Sequence, residues 1–81
     1  RDMRLELFPN PNATGALQLL VGDKFVGGKL QVYNATGQLV VSRVIENTLT
    51  TIDISYLAGG VYTVSLQSAG GIISRRLMVT K

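Results

Sequence analysis

Apolar and polar residues alternate one by one along most of this chain, a pattern that fits strands with one buried face and defeats helices. In "MRLELF", Met3, Leu5 and Leu7 alternate with Arg4 and Glu6. In "ALQLLVG", Leu17, Leu19 and Val21 fall on one side, and in "GVYTVSLQ" Tyr62, Val64 and Leu66 face in while Thr63, Ser65 and Gln67 face out. Further runs cover Leu30 to Tyr33, Leu39 to Ile45, the Thr/Ile-rich "TLTTIDI", and "IISRRLMVT". Beta-branched side chains are stiff at χ1 and suit the pleated surface. The separators are turn-formers. Asn34-Ala35-Thr36-Gly37 has hairpin chemistry, Gly37 supplying a positive φ, and Ser68 to Gly71 makes a glycine turn. "DISYLAGG" reads as a single turn ended by Gly59-Gly60, with Leu57 anchored in the core.

About seven short strands so separated predict an all-β, Ig-like antiparallel sandwich in one domain spanning residues 1–81. Taking the more apolar parity of each strand gives an expected core of Leu19, Val32, Leu39, Ile54, Leu57, Tyr62, Val64, Leu66 and Leu77.

Both prolines, Pro9 and Pro11, sit in "LFPNPNATG" directly after the first alternating run. Neither has an amide donor, and each biases the residue before it toward an extended conformation, so this stretch cannot continue as a central strand. It is expected to cross between sheets, with Asn12 to Gly15 turning the chain into the next strand. A proline segment at an edge also discourages pairing by a second chain.

The chain of 81 residues has no cysteine and no histidine, so a disulfide framework and a Cys/His zinc site are both ruled out, and packing has to suffice. A Ser-His-acid arrangement is impossible, and Lys24, Lys29 and Lys81 are the only candidates for a Ser-Lys pair. The acids Asp2, Glu6, Asp23, Glu46 and Asp53 are spaced for neither an acid/base pair nor a calcium cage. Gly-Gly pairs at 27-28, 59-60 and 70-71 open no helix and are not phosphate loops. No enzyme, cofactor or metal is expected. Net charge is +3, but the cations are scattered, with only Arg75-Arg76 adjacent, and five aromatics fall mostly within apolar alternation. Nucleic-acid binders cluster cations and expose stacking aromatics, so that class is disfavoured. No apolar run approaches a membrane span and no signal peptide opens the chain, as expected of a domain cut from a larger precursor. Asn12-Ala13-Thr14 and Asn34-Ala35-Thr36 match the glycosylation sequon, a short and common pattern, and turn chemistry explains both at least as well.

Taken in order, "FPNPNATG", "LQVYNATGQLV", "IDISYLAGGVYTVSL" and "RRLMVTK" resemble the C-terminal sorting domain of the type IX secretion system of Bacteroidota, over nearly the whole chain. The family's Pro-x-Pro-x-x-x-Gly-like opening matches Pro9, Pro11 and Gly15, its Gly-x-Tyr matches Gly60 and Tyr62, and its basic terminal strand with a final lysine matches Arg75, Arg76 and Lys81. Arg-Arg stands where lysine is frequent, and the two are not interchangeable at a recognised site. The resemblance implies an export address that binds the outer-membrane translocon and shuttle proteins from the periplasm. It further implies removal of the domain in many members by a sortase-like cysteine protease that attaches the cargo to anionic lipopolysaccharide, and a cargo at the cell surface or released. The rival reading is a generic Ig-like or fibronectin-like module for adhesion or carbohydrate binding. Against it, the chain has no Trp and only three Tyr to offer a sugar face.

Overall fold

The computed structural model describes residues 4–81. Met3, which the alternating pattern assigns to the first strand, lies outside the described residues. Seven strands follow in order: β1 (Leu5–Phe8), β2 (Ala16–Val21), β3 (Lys29–Tyr33), β4 (Leu39–Val44), β5 (Leu49–Asp53), β6 (Gly60–Ser68) and β7 (Gly71–Val79). They form a three-stranded sheet in the order β1-β2-β5 and a four-stranded sheet in the order β4-β3-β6-β7. Every ladder is antiparallel. The fold is therefore the expected all-β, Ig-like sandwich.

The two inner faces supply one continuous hydrophobic core. Leu17, Leu19, Ile52 and Val21 come from the smaller sheet, and Leu30, Val32, Val64, Leu66 and Leu77 from the larger. Register aligns the inner positions of the larger sheet in rows: Val32 lies opposite Val41 and Val64, and Leu66 opposite Leu30 and Ile73. Phe25 is fully buried from a 3-10 turn at Asp23–Phe25, between β2 and β3. Of the nine residues expected inside, eight are buried.

The exception is Leu39, which is 47% exposed. Val32 pairs with Val41 but Tyr33 pairs with Leu39, so Val40 is an extra residue on β4. A bulge of this kind reverses the faces on its far side. Leu39 shares the parity of buried Val41 in sequence, yet it stands beside half-buried Tyr33 on the outer face.

The proline segment also departs from expectation. β1 and β2 belong to the same sheet, so residues 9–15 return the chain to where it came from. The detour instead reaches across to the four-stranded sheet and attaches to the free edge of β7.

Candidate functional site

Alternate residues of β7 direct their backbone groups away from β6, toward the edge where the sheet ends. Between Arg76 and Thr80 the proline segment takes these groups. The Asn10 amide donates to the Arg76 carbonyl at 2.8 Å and accepts from the Met78 N–H at 3.0 Å. The Asn12 N–H donates to the Met78 carbonyl at 2.7 Å, and the Thr80 N–H donates to the Asn12 carbonyl at 2.8 Å. Asn12 and Val79 form a parallel bridge. Pro9 and Pro11, whose Phe8–Pro9 and Asn10–Pro11 bonds are both cis, flank these contacts without offering any donor of their own.

Asn12 holds the loop in shape from inside. It is fully buried. Its side-chain oxygen accepts from the Thr14 and Gly15 N–H groups at 3.2 and 3.0 Å, and its nitrogen donates to the Ala16 carbonyl at 2.9 Å and the Pro9 carbonyl at 3.3 Å. Turn chemistry thus occupies the first sequon completely. The second does the same at the surface, where the Asn34 oxygen accepts from the N–H groups of Thr36 and Gln38 at 3.1 and 2.9 Å.

The segment between β5 and β6 meets the same end of the sandwich. Gly15 has φ +84°, and a Cβ there would lie 3.0 Å from Ser55 Cβ. The Gly15 carbonyl accepts from the Ile54 N–H at 2.8 Å. Ser55 in turn accepts from the Lys81 ammonium through its carbonyl, at 2.5 Å, and donates its N–H to Asp53 at 2.9 Å. The hydroxyl of Ser55, its N–H and the positive charge of Arg43 together hold the Asp53 carboxyl below its ordinary range. Gly60 opens β6 and Tyr62 follows, 6% exposed and opposite Leu77 of β7. The Tyr62 hydroxyl donates to the Ala58 carbonyl at 2.6 Å, pinning the corner by the same device as the tyrosine corner of Ig-like sandwiches.

Pro9, Pro11, Gly15, Gly60, Tyr62, Arg76 and Lys81, far apart in sequence, are therefore gathered at one end. Arg75 stands apart. It shares the parity of inward-facing Ile73 and Leu77 but is exposed, and its guanidinium donates to the Ser74 carbonyl at 2.9 Å. A charge at an inner position on an edge strand blocks further growth of the sheet. Arg43 does the same on β4, at the opposite edge, across from buried Leu30. Sequence reasoning missed Asn10 and Asn12 as the residues that make the contact. Their signal was the Pro-Asn-Pro-Asn repeat itself, which puts an amide after each donor-less residue. Among the described residues no group of three or more Asp, Glu, His or Cys could hold a metal ion, and no helix is long and apolar enough to cross a membrane.

The model of the secretion system C-terminal sorting domain family matches residues 6–80. No curated protein matches. Among solved structures, PorZ, described as an essential bacterial surface component of the type-IX secretion system of Porphyromonas gingivalis, is similar with a TM-score of 0.79 and 18% identity. The likeness covers 95% of this chain but 11% of that one, so it concerns the fold of one small part of that protein.

Proposed function

The chain belongs to the secretion system C-terminal sorting domain family, and from that premise we propose that the end of the sandwich where residues 9–15, 54–62 and 76–81 meet is the part read by the secretion machinery. The domain is a sorting signal for type IX secretion, which carries its cargo across the outer membrane to the cell surface or beyond. What supports the assignment to this end is the hydrogen-bonded attachment of Asn10 and Asn12 to the strand segment from Arg76 to Thr80. The attachment joins the opening motif to the basic terminal segment, so that Pro9, Pro11, Gly15, Gly60, Arg76 and Lys81 work as one surface, with buried Tyr62 pinning the corner beneath it and Arg75 guarding the adjoining edge.

On this reading residues 1–81 form a single sorting domain without catalytic activity, which passes through the periplasm and meets a shuttle and the translocon there. A sortase-like cysteine protease that removes it and joins the cargo to anionic lipopolysaccharide would act on the chain as a substrate. The test is to fuse the domain to the C-terminus of a folded fluorescent passenger in a type IX-competent cell. The passenger is expected outside the cell, and inside in a strain lacking the system. Accumulation in the periplasm while a native cargo is still exported would overturn the reading.

A further inference from the structure

The outer face of the four-stranded sheet is organised in a way the sorting motif does not explain. Register places Ser42, Gln31, Ser65 and Ser74 in one row across β4, β3, β6 and β7, an uncharged stripe of hydroxyls and an amide. On one side of it Lys29 lies between Val44 and Gln67, with Ile72 beyond. On the other side Arg76 lies beside Thr63, and Val61 beside Met78. Among the described residues, five of the nine exposed large hydrophobic residues are on this face: Leu39, Val44, Val61, Ile72 and Met78.

Charge is segregated as well. Among the described residues no acid falls on this face: Glu6 is on β1, Asp53 ends β5, Asp23 is in the 3-10 turn and Glu46 lies between β4 and β5. The opposite outer face, on the three-stranded sheet, carries Glu6 in line with Leu20 and Leu49, and Asp53 in line with Ala16. A surface with cations, aliphatic side chains and hydroxyls but no acid lacks the intermixed signs that keep an idle surface inert. Its complement is an acidic surface bearing apolar side chains. A second copy docking the same face would set Lys29 and Arg76 against their own kind.

We propose that the outer face of the four-stranded sheet is a second docking surface, whose partner is an acidic, partly apolar protein surface of the secretion machinery. The proposal rests on the sorting reading but extends the contact to the far end of the sheet, since Lys29 is at the start of β3 whereas Arg76 is in the row of its last residue, Tyr33, across Thr63 of β6. Lys29 is exposed and well removed from the Asn10–Arg76 attachment, so it separates face from end.

The experiment uses the passenger fusion with Lys29→Glu and, separately, Ser74→Glu, both at exposed positions. Thr51→Glu, exposed on the opposite face, is the control. Like charge set against the partner should lower export by about tenfold or more in the first two and leave the control unchanged. The melting temperature of each isolated variant domain is measured alongside, and Lys29→Gln replaces any variant that melts early. Export by the unmodified fusion shows that the sorting reading holds whatever the variants do. With that in hand, equal export by Lys29→Glu, Ser74→Glu and the wild type would overturn the proposal, as would an equal loss in Thr51→Glu. Self-association of the wild-type domain in sedimentation, abolished by Lys29→Glu, would also overturn it, by making the occupant a second copy.

Discussion

Asn12 donates its backbone N–H to the Met78 carbonyl at 2.7 Å while its own carboxamide lies fully buried within the loop it shapes. One residue therefore both folds the proline segment and fastens it to the last strand. Asn12→Ala would take the side-chain acceptor from the N–H groups of Thr14 and Gly15 in a part-buried setting, while the Ala16 carbonyl loses the carboxamide donor but keeps the Thr14 hydroxyl at 3.1 Å. Donors left unpaired in a part-buried loop are costly, so a loss of about 1 to 3 kcal/mol is expected. A domain of this size has only about 4 to 12 kcal/mol to lose. Urea denaturation of the variant measures it, and a change within about 0.5 kcal/mol would contradict this role.

Asn10 makes the outer half of the same attachment, but from an exposed position. Water replaces its contacts when they are removed, so Asn10→Ala should cost only about 0.5 to 1.5 kcal/mol. The effect should be local. Amide exchange at Met78 is expected to speed up, because its N–H is the one bonded to the Asn10 oxygen, while the amide of Leu66 in the centre of β6 keeps its protection.

Leu66 and Leu39 test the bulge on β4. Both are leucines of strands in the same sheet, but Leu66 is fully buried and Leu39 is 47% exposed. Leu66→Ala should cost about 2 to 5 kcal/mol, and Leu39→Ala within about 0.5 kcal/mol. Comparable losses in the two would mean that Leu39 faces the core and that the extra residue at Val40 is not there.

Leu39 also marks where the sequence stops being readable. Period-two alternation locates all seven strands and most of the core because each buried face must be apolar on every second residue. A bulge leaves that composition untouched and only shifts the count by one, so its position is fixed by pairing with Tyr33 on another strand. Asn12 was hidden for a related reason. An asparagine in a turn sequence is ordinarily solvated, and nothing local announces that β7, at the other end of the chain, will cover it. Phe25 lay outside any alternating run, and its burial depends on how the strands around it pack. For the candidate site, the motif residues were legible one by one, whereas their convergence through Ser55 and Asn12 required the tertiary structure.

Asp53 gives the fold a specific acid sensitivity. The Ser55 hydroxyl and N–H lower its pKa in the folded state, and an unfolded chain has no such arrangement. A carboxyl whose folded pKa is depressed contributes stability that is fully present above its unfolded value, about pH 4, and is lost as pH falls through the lower folded value. Asp53→Asn is expected to flatten the stability profile below about pH 4 while leaving its shape near neutrality unchanged. Denaturation of both proteins across that range checks it, and identical slopes would remove Asp53 from the account.

The last prediction concerns Arg76 and Lys81, two exposed cations that the sorting motif treats alike and the structure separates. The Lys81 ammonium is bonded to the Ser55 carbonyl, in the turn that follows Asp53 at the end of β5. Lys81→Glu would lose that bond and bring a second carboxylate to the turn, so it should lower the melting temperature, and any accompanying loss of export would be ambiguous. The Arg76 attachment to Asn10 runs through its carbonyl and leaves the guanidinium outside it. Arg76→Glu should therefore stay within about 0.5 kcal/mol of wild-type stability, since surface substitutions of this kind ordinarily do. If the secretion machinery reads charge at this end, the reversed side chain repels it and the passenger accumulates in the periplasm. Melting and secreted passenger measured on the same variant decide the point: normal melting with export lost assigns Arg76 a role in recognition, and normal melting with normal export leaves the last strand its packing and its attachment to Asn10 and Asn12 alone.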